Sequence, residues 1–61
     1  MVKWLLIFSV KIGRKDGVAN MEYTSRYTLL TVKEIRMSEE NMAKSCGAKN
    51  AVLINAIMIK Q

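Results

Sequence analysis

VKWLLIFSVKI, residues 2–12, is the densest apolar run in the chain, and the fold turns on how it is read. Its residues alternate. Trp4, Leu6, Phe8, Val10 and Ile12 fall on one side of an extended backbone, and Lys3, Leu5, Ile7, Ser9 and Lys11 fall on the other. Side chains of a strand point to opposite faces in turn, so a period of two reads as β-structure. The second set still carries Leu5 and Ile7. A strand that is apolar on both sides belongs at the centre of a sheet, covered on both faces. The run is not read as a signal peptide or a membrane anchor. Ser9 and Lys11 interrupt it, no small-residue cleavage site follows, and it falls well short of the ~18 apolar residues of a membrane span.

The segments around this strand supply its neighbours. Gly13-Arg14-Lys15-Asp16-Gly17 reads as a hairpin loop, since glycine tolerates positive φ and Asp favours turns. Its spacing is not that of a phosphate-binding loop, which ends in Gly-Lys-Ser/Thr and opens a helix. Met21 to Leu30 (MEYTSRYTLL) alternates and is rich in Tyr and Thr, so it is expected to be the second strand. Met21, Tyr23, Ser25, Tyr27 and Leu29 share one face; Glu22, Thr24, Arg26 and Thr28 share the other. Matching apolar faces places Trp4 beside Tyr27 and Phe8 beside Tyr23, with Ser9 near Glu22 and Leu5 near Arg26 on the reverse side. Asn50 to Gln61 (NAVLINAIMIKQ) is the third strand. Strict alternation puts Val52, Ile54, Ala56 and Met58 on one face and Leu53, Asn55, Ile57 and Ile59 on the other.

Between the second and third strands lies a helix whose start has two candidate caps. Thr31-x-x-Glu34 matches a capping box. A helix beginning there, however, sets Glu39 on the same stripe as Val32, Ile35, Met42 and Cys46. Ser38 avoids that conflict. Glu39 and Glu40 would then lie in the first turn, Lys44 near the end and Gly47 at the C-terminal cap. The expected helix is therefore short, about Glu39 to Cys46, and buries Met42, Ala43 and Cys46.

The order is ββαβ, a single small α+β domain over residues 1–61. A right-handed crossover brings the third strand beside the first, giving a three-stranded antiparallel sheet of order 2-1-3 with one short helix on one face.

Composition limits the chemistry. The chain has no histidine and one cysteine, so Ser-His and Cys-His activation, an intrachain disulfide and a good structural zinc site are all missing. A thiolate at the C-terminal end of a helix is disfavoured by the dipole, so Cys46 reads as a small core hydrophobe. Glu39 and Glu40 are adjacent, diverge around a helix, and suit capping better than paired acid–base work. No catalytic, cofactor-binding or metal residue is assigned, no small-molecule substrate is evident, and an unpaired cysteine suits a reducing cytoplasm. Ten basic residues against five acidic leave a net charge of +5, spread along the chain: three of the excess charges fall in residues 1–31 and two in 32–61.

Two surfaces stand out as candidates. One helix leaves the other sheet face bare, with Leu5, Ile7, Leu53, Ile57 and Ile59 rimmed by Lys3, Lys11, Arg26 and Asn55. An apolar centre within a polar rim is how protein interfaces look, and a core this small is commonly stabilised by oligomerisation. The expectation is a small non-catalytic protein-binding module, a homodimer that acts by docking on a partner protein. The alternative is nucleic-acid binding through Lys11, Arg14, Lys15 and Arg26.

Overall fold

A computed structural model describes residues 1–59. The elements run β1 (Val2–Ile12), β2 (Lys15–Ser25), α1 (Val32–Cys46) and β3 (Asn50–Ile59). The sheet is antiparallel throughout with order β2-β1-β3, so the apolar run of β1 is indeed its central strand. The expected continuation of the third strand over Lys60 and Gln61 lies outside the described residues.

The core is the even-numbered side of β1. Trp4, Leu6, Phe8 and Val10 are buried there together with Met42 of the helix and Ala51 of β3. Leu6 is 1% exposed and Phe8 0%, which makes them the centre of packing. Met21 and Tyr23 from β2, Leu53 and Ala56 from β3, and Ala43 and Cys46 from α1 pack around them, partly buried. Cys46 Sγ lies 3.5 Å from Met42 Sδ, a contact between two soft apolar groups at the edge of the core.

The hairpin is tighter than expected. Ile12 pairs with Lys15, which leaves Gly13 and Arg14 as a two-residue turn. Gly13 has φ 63° and no other residue of this turn has positive φ, the pattern of a type II′ turn. The turn moves the whole register. Trp4 stands opposite Tyr23, not Tyr27; Phe8 stands opposite Ala19, not Tyr23; Ser9 faces Val18 and Leu5 faces Glu22. The shift is an even number of residues, so the apolar faces still meet. The expected strand also began too late: Lys15 to Asn20 belong to β2, and Tyr27 and Leu29 lie in the bend beyond it, exposed. Asp16 and Gly17 are poor strand formers, but a turn that closes at Gly13 leaves them opposite β1. The far end of the hairpin is pinned by a polar relay. Trp4 Nε1–H donates to the buried Ser25 Oγ (2.8 Å), whose hydroxyl donates to Tyr27 O (2.6 Å).

The helix is longer than expected and starts at the other cap. Thr31 is the N-cap: Glu34 N–H donates to Thr31 Oγ1 (3.1 Å), and Thr31 N–H donates back to Glu34 Oε1 (3.1 Å). Ser38 instead lies inside the helix and is buried. The objection to the long helix was Glu39 on its apolar stripe. Glu39 is indeed buried, and the sheet supplies its partner. Leu53 N–H donates to Glu39 Oε2 (2.8 Å), and Arg36 reaches Oε1 (3.1 Å) from one turn away. A buried carboxylate with both oxygens engaged is a tolerable core residue. Gly47, in the left-handed region at φ 67°, ends the helix, and Ala48 N–H donates to Ala43 O.

Among the described residues, β3 carries the one break in the ladder. Phe8 pairs with Leu53 and Ile7 pairs with Asn55, so Ile54 is an extra residue, a β-bulge. Strict alternation fails at that point. Ala51 and Leu53 turn toward the helix with Ala56 and Met58, while Val52 joins Asn55, Ile57 and Ile59 on the open side. Leu53 therefore does not belong to the uncovered face.

Candidate functional site

No part of the described chain lies over the odd-numbered side of β1. The pairings lay that side out as five cross-strand rows, each running from β2 through β1 to β3. From the hairpin end they are Asp16-Lys11-Asn50, Val18-Ser9-Val52, Asn20-Ile7-Asn55, Glu22-Leu5-Ile57 and Thr24-Lys3-Ile59. Leu5, Ile7, Ile57 and Ile59 stand on this face as expected, and Val52 and Val18 join them in place of Leu53. Val18 is 71% exposed, Val52 and Ile57 are exposed, and Leu5, Ile7 and Ile59 are half-buried by their sheet neighbours alone. Sequence reasoning missed Val52 because a bulge has no residue signature in an alternating run. It missed Val18 because the second strand was expected to begin only at Met21.

The basic residues do not stand as the sequence suggested. Arg26 lies in the bend after β2, next to the Val2 end of the sheet, and not on the open face. Lys11, Arg14 and Lys15 lie at the hairpin end, about 30 Å away at the usual rise of an antiparallel strand. These three gain company from the far half of the chain. Lys49 N–H donates to Lys11 O (3.1 Å), which brings the start of β3 and the last turn of α1, with Lys44, to the same end. The charge that looks evenly spread in sequence is gathered by the topology.

At the opposite end Tyr23 Oη–H donates to Glu34 Oε2 (2.8 Å) and joins β2 to the helix cap. The backbone N–H of Thr31, the Tyr23 hydroxyl and the Thr31 hydroxyl all donate to Glu34 and hold its carboxyl below the usual glutamate range. The same bond to the carboxylate, helped by desolvation and by its negative charge, raises the Tyr23 hydroxyl above the usual tyrosine value. This arrangement favours the bond itself: an ionised acceptor and a protonated donor.

Among the described residues no three of Cys, Asp and Glu come together in a way that would hold a metal ion, and no helix is long and apolar enough to cross a membrane. Compared with known protein families, curated proteins and solved structures, the chain matches none.

Proposed function

We propose that this protein is a non-catalytic docking module whose working surface is the open sheet face, and that the first occupant of that face is a second copy of the chain. The observation that carries the reading is the bare apolar field of Leu5, Ile7, Val52, Ile57 and Ile59 opposite the packed core. Each aliphatic side chain moved from water into a packed interface is worth up to ~1.5–3 kcal/mol. A solvated outer face has no need of them.

The rows are also suited to self-pairing. A two-fold axis crossing the strands at Ile7 lays that row on its own copy, Asn20 on Asn20 and Asn55 on Asn55. An amide carries both donor and acceptor, so it can pair with itself. The same axis sets Val52 against Ile57, while Lys3 and Lys11 stand at the ends of β1, where long stems keep the ammonium groups in water. The bulge in β3 argues for stacking by the face and not by that edge, because bulges twist an edge away from further pairing.

Sedimentation at tens of micromolar tests the reading. The wild-type chain should run as a dimer, Ile57→Lys as a folded monomer of lower stability, and Lys11→Ala as the wild type. A well-folded wild-type monomer without aggregation would overturn it.

A further inference from the structure

The hairpin end carries an inference that does not rest on the dimer. Lys11, Arg14, Lys15, Lys44 and Lys49 converge there from three separate parts of the chain, against two carboxylates, Asp16 in the hairpin and Glu40 one helical turn before Lys44. All five are exposed. None of them is in an ion pair, since among the described residues only Arg36 is paired with a carboxylate. Half of the ten basic residues thus stand at one end of the molecule, outnumbering the acids beside them by five to two.

Their placement narrows the ligand. Long lysine and arginine side chains on open surface have no cavity to enclose a single small anion. They suit a polyanion with charges repeated along its length. They also stand on both sides of a narrow element. Lys11 belongs to the open face, Lys15 pairs with Ile12 on the helix side, and Arg14 is the second residue of the turn. Beyond Lys11 the sheet is only the two-stranded tip of the hairpin. A flat anionic surface would meet one side of such a tip. A groove walled by phosphates meets both, and a two-stranded ribbon fits the ~12 Å major groove of duplex DNA. We infer that the hairpin end binds the phosphate backbone of duplex nucleic acid, with the turn entering a groove and Lys44 and Lys49 reaching the flanking strand. The contact is to backbone, so little dependence on base sequence is expected.

The test is fluorescence anisotropy with a mixed-sequence DNA duplex at several salt concentrations. Four to five phosphate contacts should weaken binding roughly 100- to 500-fold between 50 and 200 mM salt. The variant Arg14→Glu with Lys15→Glu should lose at least tenfold in affinity, and the slope of log K against log salt should shrink by about 2. The variant Arg26→Glu with Lys33→Glu makes the same change in net charge at the opposite end and should stay within about threefold of wild type. Circular dichroism checks folding. If the loop variant unfolds, Lys44→Gln with Lys49→Gln takes its place, because it disturbs neither the turn nor the hairpin ladder. No binding at 50 mM salt would overturn the inference. So would equal losses in the two charge-reversed variants, or uptake by phosphatidylserine vesicles with no binding to the duplex.

Discussion

The two sides of β1 are made of nearly the same material and meet different fates. Trp4, Leu6, Phe8 and Val10 lie under the helix and are buried. Leu5 and Ile7, their immediate neighbours in sequence, lie on the reverse and are only half-buried. What separates the two sides is not hydrophobicity but the supply of cover, because one helix can close one face of a three-stranded sheet. The helix side is also where every polar adjustment occurs: Glu39 on Leu53 N–H, Trp4 on Ser25, Tyr23 on Glu34. The open side offers no comparable contact between side chains of different elements among the described residues. That difference tells a face finished internally from a face left bare.

Substitutions sharpen or break the contrast. The largest effect is expected at Phe8, where truncation to alanine should cost about 3–5 kcal/mol, while Ile7→Ala on the other side should cost under about 2 kcal/mol in dilute, monomeric protein. Urea unfolding of both variants decides it, and equal costs would mean that Ile7 is as well covered as Phe8. Next comes Glu39→Ala, which strands Leu53 N–H without its partner and should cost about 1–3 kcal/mol. NMR of that variant should show amide changes centred on the bulge at residues 52–55, whereas changes confined to the helix would separate Glu39 from the shape of β3.

Smaller effects belong to the end of the helix that covers the first face. Thr31→Ala removes the cap and should cost about 1 kcal/mol, read as a lower urea midpoint with an unchanged slope. Acid titration follows Glu34. Its carboxyl is held below the unfolded value, so its contribution is full above the ordinary glutamate range and is lost as pH falls through the folded value. Tyr23 has the opposite sign. Its hydroxyl is raised, so stability declines as pH climbs past the ordinary tyrosine value, and Tyr23→Phe should abolish that alkaline decline. The smallest change is expected for Cys46→Ala, a modest loss of packing at the core margin with the proposed dimerisation and DNA binding intact. Loss of either property in a folded Cys46→Ala protein would assign the thiol a role beyond packing.

Much of this architecture was legible from residue order. Alternation over residues 2–12 marked the central strand, the ββαβ order pointed to the 2-1-3 sheet, and Gly47 closed the helix where a C-cap belongs. These follow from local rules, the pleat of a strand and the freedom of glycine, which depend on neighbours in sequence.

Tertiary structure decided the rest, each time by supplying a partner from far along the chain. Glu39 argued against a long helix until Leu53, 14 residues away, offered a backbone donor that makes its burial tolerable. The bulge at Ile54 exchanged Leu53 for Val52 on the open face, although alternation alone runs straight through it. Five cations scattered between residues 11 and 49 became one charged end because β1, the hairpin turn, the last turn of α1 and the start of β3 meet there. The period of a strand or a helix is written in adjacent residues, but the partner of a buried carboxylate, the site of a bulge and the sum of a charge field depend on which distant segments the fold brings together.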